Sequence, residues 1–264
     1  MEETLEYISS LNNIKKTFKK VTPSWVKITT ITVVAKLNTE LKTELIRSTF
    51  DETNEYKLRL DGSNYNGHLW SLSQTTFYNQ VSLCYQDTRS KKSIKLFPNG
   101  SVQVAGCVDL QDCDNVIDQI RMIVATTHNM KVPPVCAHRK IAMINTNFSL
   151  NMKLSQYGVT DVFTKNGYTV SFDPDRYSAV KVKFEPVEGG KRVTASIFST
   201  GKVIVTGAEN LKEITGAYRA IVSTIEKNYK KTYAADSPTQ DVFPIFMHYK
   251  WEQWLDYMDN KISS

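Results

Sequence analysis

The 264-residue sequence has no apolar run near the roughly 18 residues a membrane-crossing helix needs, and no signal-peptide pattern at its N-terminus. The expectation is an intracellular protein with no membrane partner. Cysteine is scarce: Cys84, Cys107, Cys113 and Cys136 form no Cys-x-x-Cys pair. Cys107, Cys113, Cys136 and His138 can be drawn as a zinc set, but the spacing fits no common structural motif, and reduced thiols are the better reading. Histidine is as scarce, with residues only at 68, 128, 138 and 248, so no acid–base site is indicated. There is no phosphate-binding glycine loop, no Gly-x-Ser-x-Gly and no His-Glu-x-x-His. Catalysis, a cofactor, a metal and a small-molecule substrate are therefore not expected.

What is present reads as a soluble globular chain with a real core. Apolar residues make up 41% and charged residues 23%, both ordinary fractions. The net charge of +6 permits a polyanionic partner without requiring one.

The informative feature is a repeat. "IKLFPNGSVQVAGCVDL" (94–110) is answered by "ASIFSTGKVIVTGAENL" (195–211) at an offset of 101. The offset pairs Phe97 with Phe198, Gly100 with Gly201 and Gly106 with Gly207. Upstream, "YNQVSLCY" (78–85) answers "YSAVKVKF" (177–184) at an offset of 99, and "LNTEL" (37–41) answers "LNMKL" (150–154) at 113. The drift places about 14 extra residues in the first copy, in an insertion expected over about 51–76. Each copy runs from an extended apolar segment through a short helical or turn segment and several strands to a long amphipathic helix. Those helices are expected over about 110–128 and 209–229, with Asp109 and Asn210 as N-caps. The organisation expected is an N-terminal extension (1–24), a first repeat (25–131), a linker (132–138) around Pro133-Pro134, a second repeat (139–231) and a helical C-terminal extension (232–264).

Strand parity separates two faces. Val81, Leu83 and Tyr85, with Val180, Val182 and Phe184, point to a core. Ile94 and Leu96, with Ala195 and Ile197, do the same, as do Val102 and Val104, with Val203 and Val205. The opposite face then carries Tyr78, Phe97, Tyr177 and Phe198 among Lys95, Lys181, Lys183 and Ser196. An antiparallel sheet with helices on one side and solvent on the other is stable without aromatics on its wet face. Four at matched positions mark a binding surface, unless another segment covers the rings.

The phrases "SFDPDRYSAVKVKFEP" and "ASIFSTGKVIVTGAENL" closely resemble the second half of each repeat of the TATA-box-binding protein family. The resemblance covers roughly residues 25–230 and is weaker in the first copy, where "LFPNGSVQVAGC" lacks the Lys and Thr. It implies an α+β fold in which two pseudo-symmetric repeats form a saddle-shaped curved antiparallel β-sheet with helices on the convex face. It also implies a transcription initiation factor that binds promoter DNA in the minor groove and bends it with apolar wedges. By position the DNA-intercalating wedges are Tyr78, Phe97, Tyr177 and Phe198. Other DNA-facing positions are Thr30, Thr32, Lys95, Gln103, Met143, Asn145, Asn147, Lys181, Lys183, Ser196, Ile204 and Thr206. Two wedges are Tyr, and Lys95, Ser196 and Gln103 replace apolar residues. The expectation is a preference altered from TATA and a steeper salt dependence.

The loop "EPVEGGKR" (185–192) matches the family's stirrup, which contacts transcription factor IIB. Glu185 and Glu188 serve such a contact, or the loop is a solvated Gly-Gly turn. The implied partners are double-stranded DNA, a factor of the IIB type and the RNA polymerase machinery. "LEYISSLNNIKKTFKK" reads as an amphipathic helix with a basic face. Met247, Trp251, Trp254, Leu255 and Met258 recur at helical spacing in the C-terminal tail, which packs on the domain or docks a partner. The divergence suggests a lineage such as a large DNA virus, which leaves nucleus and cytoplasmic factory equally open. The rival reading is a protein-interaction module of a transcription complex that no longer binds DNA specifically. An enzyme that uses this fold as an accessory part is a distant third.

Overall fold

Both repeats open on a run rich in β-branched residues, and each run becomes a long central strand. The computed structural model describes residues 2–51, 69–73 and 79–234. In chain order the elements are α1 (Glu2–Thr17), β1 (Lys27–Leu37), α2 (Thr43–Asp51), β2 (Leu69–Leu72), β3 (Val81–Gln86), β4 (Lys91–Leu96), β5 (Ser101–Cys107) and α3 (Leu110–Thr127). There follow β6 (Cys136–Ser149), α4 (Gln156–Lys165), β7 (Thr169–Asp173), β8 (Tyr177–Phe184), β9 (Val193–Phe198), β10 (Lys202–Ala208), α5 (Leu211–Lys227) and α6 (Tyr229–Thr232).

The ten strands form one curved antiparallel sheet in the order β2-β3-β4-β5-β1-β6-β10-β9-β8-β7. Exchanging β1 with β6, and each strand of one half with its counterpart in the other, leaves that order unchanged. A pseudo-two-fold axis therefore passes between β1 and β6, which pair through Thr30 with Asn145 and Thr32 with Met143. The sheet stays open rather than closing into a barrel.

One face of the sheet carries the helices and both cores. In the first half, Val33, Leu83, Ile94, Leu96 and Val104 meet Val116, Ile120 and Val124 of α3. In the second, Val180, Val182, Ile197, Val203 and Val205 meet Ile214, Tyr218, Ile221 and Ile225 of α5. Each long helix is capped twice at its start. Asp109 accepts from the Asp112 N–H (2.7 Å) while the Asp112 carboxylate accepts from the Val108 N–H (2.9 Å). Asn210 and Glu213 repeat this reciprocal cap with the N–H groups of Glu213 and Glu209 (2.9 and 2.7 Å).

The duplicated glycines have a shared cause. Gly100 and Gly201 follow β4 and β9 with φ of 84° and 82°. A Cβ there would lie 2.3 Å from the Thr39 carbonyl oxygen in one copy and 2.2 Å from that of Met152 in the other. Only glycine fits both the left-handed backbone and the close approach.

Two boundaries differ from the sequence reading. The expected insertion ends earlier than residue 76, because Leu69–Leu72 form the edge strand β2, the counterpart of β7. Trp70 there is buried and stacks on Tyr85 at 4.6 Å, so burial of an indole draws the segment into the sheet. The linker ends at residue 135, since β6 begins at Cys136. In the N-terminal extension, α1 packs along α5 and buries Leu11 and Ile14 in the second core. The C-terminal tail, with Met247, Trp251, Trp254, Leu255 and Met258, lies outside the described residues, as do Tyr78 and most of the insertion.

Candidate nucleic-acid interface

The face opposite the helices is the candidate site. Its clearest feature is in β8 and β9, where cores on one side force the alternate residues to the other. Val180, Val182 and Phe184 are buried, whereas Tyr177, Lys181 and Lys183 are exposed. Phe198 is half-buried and meets Tyr177 edge-to-face with ring centroids 5.8 Å apart. The Lys181 ammonium lies 4.6 Å from the Tyr177 ring centroid. Two adjoining aromatics, one with 39% of its surface exposed, thus stand on a sheet face edged by exposed lysines.

In the first half Phe97 takes the matching place after β4 and is half-buried. It lines an open pocket of about 310 Å³ with Val34, Lys36, Gln103 and His138. Lys95 and Gln103 are paired across β4 and β5 and partly exposed, as are Ser196 and Ile204 across β9 and β10. Thr206 is partly exposed in β10.

The centre of the face is polar. Met143, Asn145 and Asn147 alternate with the buried Ile144, Thr146 and Phe148 in β6. The Asn145 amide donates to the Thr30 hydroxyl (3.0 Å), across the junction of the two halves. The Asn145 side-chain oxygen is buried and has no protein partner among the described residues. Thr32 shares the face by parity but is only 4% exposed, so it is not an available contact in the free protein. Gln80 and Ser82 are likewise buried there and bond to each other at 3.1 Å.

The rim adds two polar side chains to this face. Lys36 and His138 face each other in the β1–β6 register beside Phe97. Extending the alternation of β1 outward from Thr30 would have found Lys36. In the 185–192 loop, the Glu185 carboxylate accepts from the Gly189 N–H (2.5 Å), so it serves the turn itself. Glu188 is exposed and makes no bond among the described residues. Cys107 and Cys113 are buried at the β5–α3 junction, and the described residues contain no cluster able to hold a metal ion.

Comparisons with known proteins agree on one family. The family model described as transcription factor TFIID, or TATA-binding protein (TBP), matches residues 141–228. A TATA-box-binding protein-like protein of Acanthamoeba polyphaga mimivirus is 26% identical over 244 residues, spanning 78% of this chain and 66% of that protein. These similarities support a diverged TBP-like protein. The chain spans just under two thirds of the mimivirus relative's length. The TATA-box-binding protein of Thermoplasma acidophilum is 24% identical over 173 residues, 64% of this chain and 83% of the archaeal one. The solved Methanococcus jannaschii TBP superposes with a TM-score of 0.53 at 15% identity, over 77% of this chain and 99% of that chain, which establishes the saddle fold.

Proposed function

We propose that this TBP-like chain is a non-enzymatic transcription factor that binds duplex DNA in the minor groove through its concave face and bends it. The observation that carries the reading is the Tyr177–Phe198 pair on an otherwise polar, basic face. Burying such rings in water-free contact between base steps removes apolar surface from solvent and unstacks the duplex locally. Phe97 supplies the matching wedge in the other half, and Tyr78 is its proposed companion. The units that meet the two halves of the site are the repeats at 25–131 and 136–231.

Lys181, Lys183 and Lys95 add phosphate contacts, which position the protein without reading sequence. Thr30, Asn145, Asn147, Met143, Ser196, Gln103, Ile204 and Thr206 face the groove floor. Their polarity favours a target altered from TATA. The exposed Glu188, on a loop whose shape Glu185 holds, is the proposed contact to a factor of the IIB type and through it to the polymerase.

The test is duplex binding across a salt series with a fluorescence-transfer bend readout. Phe97→Ala and Phe198→Ala together should abolish the bend and weaken binding at least tenfold. Unchanged affinity and bending would refute the wedges. No duplex binding by the wild type at moderate salt would favour the interaction-module reading.

A further inference from the structure

An exposed aromatic residue just ahead of β1 is left unused by the groove-floor reading. Residues 18–26 lead from α1, on the helix side, to the start of β1. The passage is pinned at Ser24. Its N–H donates to the Ser149 carbonyl (2.7 Å), its hydroxyl accepts from the Ser149 N–H (2.8 Å), and its carbonyl accepts from the buried Tyr218 hydroxyl (2.9 Å). Asn151 adds a bond to the Thr22 carbonyl (2.8 Å). Yet Trp25, the next residue, is 50% exposed. A rigid backbone that leaves half an indole in water gains nothing in folding from that exposure.

The ring is also propped. The Lys15 ammonium of α1 stands 4.6 Å from its centroid, which holds one side of the ring and leaves the rest open. Neighbouring strand ends complete the rim. Ser149 pairs with Lys202 of β10, whose turn to β9 carries Phe198, and both Lys202 and Lys27 are exposed. The pseudo-two-fold points to the same place. At the repeat offset of 113, Trp25 corresponds to His138, which shares a pocket with the other wedge, Phe97.

We propose that Trp25, propped by Lys15, is a further DNA contact: its indole lies on the sugar–phosphate backbone beside the Phe198 wedge and donates its N–H to a phosphate oxygen. This rests on the minor-groove reading above. Strands crossing a duplex put their ends over its backbones, where an amphipathic ring meets an apolar sugar and an anionic oxygen together. Through Lys15, the N-terminal extension thereby supports the DNA-binding surface.

The experiment uses the full chain labelled with 5-fluorotryptophan and an A·T-rich duplex, with Trp25→Phe assigning the Trp25 signal. That signal should move on adding duplex. Trp25→Ala should bind roughly tenfold more weakly, the scale of one hydrogen bond to a charged group, with bend and salt slope unchanged. Trp25→Phe should recover part of the loss. A wild type that binds and bends the duplex while the Trp25 signal stays put overturns this contact alone. A wild type that binds no duplex overturns the minor-groove reading and this contact with it.

Discussion

Replacing Lys181 and Lys183 by glutamine isolates the electrostatic part of DNA binding. Both ammonium groups are exposed on β8, on the face that holds Tyr177 and Phe198, and neither has an ion-pair partner among the described residues. Glutamine keeps most of the side-chain stem and removes only the charge. If each lysine neutralises one phosphate, each substitution lowers the slope of log affinity against log salt by about 0.9. The pair then lowers it by about 1.8. Between about 50 and 200 mM salt, the wild type should lose about twelvefold more affinity than the double variant. Anisotropy titrations of a labelled duplex over that range measure both slopes, and urea melts check that the fold is intact. Lys183→Gln alone separates charge from ring support, since only Lys181 lies over Tyr177. An unchanged slope in a well-folded double variant would show that β8 does not approach the phosphates, and the proposed docking of the second half would be wrong.

Two further outcomes concern the frame. Lys92 is fully buried between Asp87 (2.6 Å) and Asp112 (3.2 Å), so Lys92→Met should cost about 3–5 kcal/mol in urea melts at pH 7. Burial pushes the Asp87 pKa up, but the Lys92 ammonium and the N–H groups of Ser90 and Arg89 outweigh it and hold it below the usual range. Its stabilisation is thus present above about pH 4 and lost as pH falls through the lowered folded value, and the gap between variant and wild type should narrow in acid. Gly201→Ala should cost about 1–3 kcal/mol and disturb the bend, because its Cβ meets the Met152 carbonyl beside Phe198. Gly189→Ala has a similar φ of 72° but open space around it, so a loss clearly smaller than that of Gly201→Ala is expected in the same melts.

The sheet and its two faces were legible because a period-two pattern was written twice. One copy of "VSLCY" leaves parity ambiguous, while a second reading "AVKVKF" removes the ambiguity. Lys92 was not legible. In "SKKSIKL" it reads as a solvated residue, but Asp87 and Asp112 draw it into the core. The signal lay in the repeat, since the residue 101 positions later is the buried Val193. Strand β2 was lost inside a polar stretch because its one informative residue, Trp70, needs Tyr85 across the sheet to justify burial. Thr32 was placed on the correct face, but parity cannot report that neighbours cover it. Trp25 opens the first repeat but precedes β1, where strand alternation begins, so parity did not assign it a face.

A two-fold frame cannot by itself tell one end of a duplex from the other. Any orientation preference has to come from side chains that break the symmetry, and here they do so by kind. The second half carries Lys181 and Lys183 where the first carries Ser82 and Cys84, at the offset of 99. It carries Ile204 and Thr206 where the first carries Gln103 and Ala105, at the offset of 101. On the rim, Trp25 stands opposite His138. The frame residues show the reverse pattern. Gly100 and Gly201, and the reciprocal caps at Asp109 and Asn210, repeat almost unchanged. Their job is set by backbone geometry, which the two halves share. At these positions the halves differ on the concave face and its rim and agree in turns and caps, whereas the buried Lys92, matched by Val193, shows that the core diverges where local partners such as Asp87 and Asp112 permit it.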